Sequence, residues 1–222
     1  MIKAIFYKEW IKTRQLILLL CAIFFALLGY TWLNISSDFR SNGAVEIWGA
    51  AISAKYSLIP SILYYFPLVC GALIGLLQFS SEITNKRLKL TLHLPIKESR
   101  VMAALYLFGA LITLSLSFLL FTISLLILSV YFPSEILIMT LPYLLLYSIL
   151  GLSIYFIAAY IVVEPVWRRR VGAILISMGA IWAFFQDGIP NLYGLLFLLF
   201  ISSLLVAAAY LSASRFKDGA QN

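Results

Sequence analysis

Long apolar runs alternate with short polar segments along the whole chain. The runs cover about 15–34, 57–79, 101–131, 136–163, 171–186 and 190–213. About 20 helical residues at 1.5 Å each cross roughly 30 Å of hydrocarbon, so all but the short fifth run have the length of a spanning helix. The fifth ends at Gln186-Asp187-Gly188-Ile189-Pro190, a turn signal that predicts a helical hairpin of the last two spans. Ahead of the first run, Ile2, Ile5, Phe6 and Glu9 fall at i, i+3, i+4 and i+7. That spacing predicts an amphipathic lead-in helix over 1–14, with one carboxylate on its apolar face.

One segment breaks the pattern. Residues 87–95 read RLKLTLHLP, and leucines alternate with polar residues at period two. Such alternation usually marks a half-buried strand, but an isolated strand here has no partner for its backbone. A helix beginning near Ser81 places Glu82, Asn85, Lys86, Lys89 and His93 on one side. Ile83, Leu88, Leu90, Leu92 and Leu94 take the broad remaining side, with Arg87 as the exception. Glu82 and Lys86 stand at i,i+4 with the acid first, the favourable order. Ser80 or Ser81 is a candidate N-cap, and Pro95 stops the helix. The helix reading accounts for the polar residues before Arg87, so 81–95 is read as a short helix lying along the membrane surface.

Composition agrees with a chain that lies almost wholly in the bilayer. Of its 222 residues, 63% are hydrophobic and 11% charged, against about 25% charged in a soluble domain. The chain is therefore read as one transmembrane domain over 1–222. No phosphate-binding loop of the form GxxxxGK[ST] occurs. Basic residues set the orientation. Four lie before the first run, five around the segment after the second, three after the fourth (Arg168, Arg169 and Arg170), and two after the sixth. Only Arg40 and Lys55 fall on the other side. This predicts six spans with both termini in the cytoplasm, and it makes the net charge of +7 a topology signal. Nucleic acid is not an expected partner, because the charge is spread over four short segments. No Asp, Glu, Lys, Arg or His lies inside a run, whereas ion-driven carriers keep such a residue at membrane depth. Energy for any pumping would have to come from another chain.

Six spans with both ends inside, a basic lead-in and this loop resemble the permease subunit of type 2 ATP-binding cassette (ABC) transporters. That family's loop between spans two and three reads roughly E…GTLExLLxLP, then a basic residue. Glu82, the alternation Leu88, Leu90, Leu92, Leu94, then Pro95 and Arg100 match it; Lys86, Arg87 and Lys89 depart from it. Tyr7-Lys8-Glu9-Trp10 is similar to the family's Lys-Glu lead-in, which singles out Glu9 and Trp10. The resemblance implies that 81–95 is a cytoplasmic coupling helix docking into a separate ATPase, through Glu82, Asn85, Lys86, Arg87, Leu88, Lys89, Leu92, His93 and Pro95. It implies an exporter in the bacterial cytoplasmic (inner) membrane, with two ATPase copies and a second permease, identical or homologous. The chain itself would not be an enzyme. A scaffold or assembly factor of the same topology is the alternative.

Other features carry less. Glu9 pairs with Lys86 or Arg87, or is solvated at an interfacial helix. His93, the only histidine, lacks the partners a hydrolase needs and reads as a polar-face residue. Glu164 with Trp167 and Arg168–Arg169–Arg170 reads as a cytoplasmic membrane-interface anchor, or a second contact with the ATPase. Cys21 and Cys70 lie in apolar runs, no metal-ligand spacing exists, and no cofactor is called for. Gly71-Ala-Leu-Ile-Gly75 permits close helix approach. Pro60, Pro67 and Pro142 are candidate kinks. Residues 35–55 are expected to form the one sizeable outer loop.

Overall fold

The computed structural model describes residues 2–54, 61–84, 98–185 and 191–218, and these are helical apart from short connections. The helices are α1 (Ile2–Asn42), α2 (Ala44–Ala54), α3 (Ser61–Thr84), α4 (Glu98–Tyr131), α5 (Ser134–Val163), α6 (Trp167–Phe184) and α7 (Leu192–Asp218). Five of them, α1, α3, α4, α5 and α7, are long and apolar enough to cross a bilayer. The chain is an all-α multi-pass membrane protein. The apolar part of α6, residues 171–184, is roughly 21 Å long, short of a full hydrocarbon crossing.

Lead-in and first span form one helix. α1 runs for 41 residues without a break, about 60 Å. No proline stands between Ile2 and Asn42, and Gly29 is absorbed without a break; Gly43, at φ +78°, ends the helix. The expected loop at 35–55 is therefore corrected: 35–42 is still α1, and Ala44–Ala54 forms α2. At this end Trp48 Nε1 donates to Tyr131 O at 3.0 Å, and Phe39 packs on Tyr131 and Phe132.

The tightest seam lies between α3 and α5. A Cβ on Gly71 would strike the backbone oxygen of Gly151. One on Gly75 would come within 2.8 Å of Tyr155 O, and one on Gly151 within 2.5 Å of Pro67 O. Lipid offers no hydrophobic drive between helices, so small residues that let backbones touch supply the packing. The glycine pair expected to permit close approach does so here. Pro67 and Pro142 lie inside α3 and α5 without ending them; Pro60 lies outside the described residues.

α6 and α7 form a close pair. Asn191 N donates to Phe184 O at 3.1 Å, and Asn191 Oδ1 caps α7 by accepting from Tyr193 N at 3.0 Å. Gly194 sits where a Cβ would meet Ala183 O and Phe184 Cα at 2.6 Å.

Candidate functional site at the charged end of the bundle

The buried face of α1 starts with Ile5, Glu9 and Thr13 at successive i,i+4 steps. Burial of Glu9 is complete. The same spacing on the last turns of α3 buries Gln78 and Glu82 completely. Two lysines from α1 fill the gap between the acids. Lys12 Nζ lies 2.7 Å from Glu9 Oε2 and donates at 2.9 Å to both Glu82 Oε1 and Gln78 O. Lys8 Nζ donates to Glu82 Oε2 at 2.9 Å and stands 3.9 Å from Glu9 Oε1. Two positive and two negative charges thus neutralise one another, and each oxygen of Glu82 takes its own ammonium. Charges this deep persist only when paired this way.

The network continues inward. Gln78 Nε2 donates to Leu105 O at 3.0 Å. Tyr155, the bulkiest of the fully buried side chains, lies with its hydroxyl 3.2 Å from both Gln78 Oε1 and Tyr106 O. Gly109 leaves the space, since a Cβ there would run into Tyr155 OH and Gln78 Oε1. One polar path therefore joins α1, α3, α4 and α5.

A third buried carboxylate closes the other half of the same end. Glu164 follows α5 and is fully buried. Its Oε2 accepts from Tyr160 OH at 3.1 Å and from Ser212 Oγ of α7. Its Oε1 accepts from Val166 N at 3.2 Å, where α6 begins. Arg170 Nη2 donates to Glu164 O at 2.7 Å. One residue thereby fastens the end of α5, the start of α6 and the last turns of α7.

Sequence expectations fall on this end unevenly. Glu9 and Glu82 meet through shared lysines, and Glu164 and Arg170 meet directly. Glu9 is not solvated; its partners are Lys12 and Lys8. Lys86 and Arg87 lie outside the described residues, as do Asn85, Leu88, Lys89, Leu92, His93 and Pro95. Ser80 and Ser81 do not cap a new helix. Their hydroxyls donate back to Leu77 O and Gln78 O, and α3 continues through Glu82 to Thr84. Trp10 is half exposed and belongs to no part of the network. Sequence reasoning missed Lys8, Lys12, Gln78, Tyr155, Tyr160 and Ser212. The one available signal was the i,i+4 spacing of Lys8 with Lys12 and of Gln78 with Glu82.

Elsewhere, two adjoining apolar cavities of about 580 and 240 Å³ lie between α4 and α5, sharing Phe118 and Phe121. Among the described residues, no cluster of His, Cys, Asp and Glu could hold a metal ion. What the described residues at the charged end do is join helices, α1 to α3 through the lysines and α5 to α6 and α7 through Glu164. No family model, curated protein or solved structure matches the chain.

Proposed function

We propose that the chain is the transmembrane subunit of a type 2 ABC exporter in a bacterial inner membrane, working with a second permease and two separate ATPase subunits. The supporting observation is the clamp on Glu82. The segment that resembles the coupling loop leaves α3 within three residues of a carboxylate held by both Lys8 and Lys12. A push on that segment is delivered to the end of α3. Through the two lysines it reaches α1, a single rigid helix, and through Gln78 and Tyr155 it reaches α4 and α5. ATP is hydrolysed in the partner, and the permease supplies the path.

In this reading α6 is the fifth of six spans and both termini are cytoplasmic. The long side chains of Arg168 and Arg169 make up for its short apolar length by reaching the headgroups. Co-purification tests the proposal. The wild-type chain should bring down an ATPase whose ATP turnover it stimulates, and Leu88→Asp with Leu92→Asp should abolish the association while α1–α7 stay folded. A scaffold of the same topology would show no nucleotide-dependent change. A folded wild-type chain that captures no ATPase overturns the assignment.

A further inference from the structure

The first turn of α6 carries Trp167, Arg168, Arg169 and Arg170 in succession. Their side chains are deployed differently. Arg170 is turned inward to Glu164 O, with its guanidinium 6.0 Å from the centre of the Trp167 ring. Its buried Nε has no acceptor among the described residues. Arg168 and Arg169 are exposed, and Trp167 is 68% exposed. Glu164 spends its carboxylate on Tyr160, Ser212 and Val166, and offers Arg170 only its backbone carbonyl. Among the described residues these three guanidinium groups form no ion pair within 4.0 Å.

Three guanidinium groups without an ion-pair partner among the described residues, beside an exposed indole at the foot of a helix packed in a membrane bundle, fit one kind of partner. The planar fork of arginine binds phosphate bidentately, as it does carboxylate. The bilayer interface, where exposed tryptophan settles, presents phosphates at this depth. We infer that the Trp167–Arg170 turn binds the phosphate headgroup of an anionic lipid, with Arg168 and Arg169 holding the phosphate and Arg170 fixing the turn beneath it. The lipid secures the start of α6 against the Glu164 joint. This site does not depend on whether the chain is a permease.

The test uses the full chain, purified in detergent and loaded with phosphatidylglycerol or phosphatidylcholine of identical acyl chains. Native mass spectrometry counts the lipid retained. Wild type should retain phosphatidylglycerol preferentially, and Arg168→Gln with Arg169→Gln should weaken it about thirtyfold, each near-surface arginine being worth about fivefold. That variant leaves Arg170 and Glu164 in place, and an unchanged melting temperature verifies its fold. Lysines at both positions should restore part of the preference. Millimolar inorganic phosphate should fail to displace the lipid. Equal retention of the two lipids by wild type, an unchanged preference in the glutamine variant, or full displacement by free phosphate would overturn the inference.

Discussion

Replacing Lys12 by Met asks whether the charged end is a joint or merely a place where charges collect. Lys12 touches three acceptors at once: Glu9 at 2.7 Å, and Glu82 and Gln78 O at 2.9 Å. Its side chain is 15% exposed, and those of both acids are 0% exposed. Met preserves most of the volume, so packing loss is small. What remains is a pair of sealed carboxylates facing Lys8 alone, whose side chain is 37% exposed. Breaking a buried pair by removing one partner costs about 3–5 kcal/mol. At this chain length each kcal/mol moves the melting temperature by about 2–4 °C, so a fall of roughly 10 °C is expected in a detergent thermal scan. Lys8→Met should cost only about 1–2 kcal/mol, because water already screens that pair. The decisive variant combines Lys12→Met with Glu9→Gln. It removes one charge of each sign and leaves Lys8 on Glu82, so it should melt above Lys12→Met alone, with a coupling of about 0.5–3 kcal/mol. If Lys12→Met melts within about 2 °C of wild type, or if the added Glu9→Gln lowers the melting point further, the acids are not held by these lysines.

The glycines separate into two groups that one scan should distinguish. Gly75→Leu drives a side chain into Tyr155 O and Ala158 and should cost at least about 1–3 kcal/mol, while Gly172→Ala and Gly179→Ala meet open space and should stabilise α6 by about 0.5–1 kcal/mol each. Glu164→Ala strips acceptors from Tyr160, Ser212 and Val166 and should lower stability by about 3 kcal/mol; Glu164→Gln, which keeps one acceptor oxygen, should recover much of it in the same assay. Cys70 is fully buried and Cys21 half-buried, so a Cys21→Ser protein should resist maleimide labelling until it is unfolded, as followed by mass.

The apolar runs made α3, α4, α5 and α7 legible because one dominant force, exclusion of polar backbone from lipid, sets their length. That force says little about ends. Asp38, Arg40 and Asn42 read as loop residues, yet the helix continues past them because solvent outside the bilayer satisfies polar side chains as well on a helix as on a loop. Glu9 illustrates a different limit. Its place on an apolar face announced that it needed a partner. The identity of that partner depended on Glu82, brought to Lys12 from 70 residues away, and no local pattern encodes that meeting. Lys8 and Lys12 were legible only as topology signals, since their charges serve orientation and pairing equally well. Tyr155 was invisible for a plainer reason: one tyrosine among many aromatic residues has nothing to mark it until Gly109 is seen to clear its hydroxyl.

Both buried acid sites lie at helix ends, and the lipid environment explains why. Between spanning helices hydrocarbon competes on equal terms with leucine, so apolar contact alone does not register one helix against its neighbour. Backbone contact does so along α3 and α5, where glycines permit it. α1 and α7 lack such a seam with their partners at this end, and there a buried carboxylate does the registering. Glu82 fixes α3 to α1; Glu164 fixes α5 to α6 and α7. The two sites share no hydrogen-bonded residue among those described, and α5 is what lies between them. It carries Tyr155 toward one and Tyr160 toward the other, about a turn and a half apart. A displacement of the α3 end reaches α7 mainly across α5, since α4 also touches α7 but far less extensively, which makes the stiffness of α5 weigh most in whether the bundle answers as one body or as two.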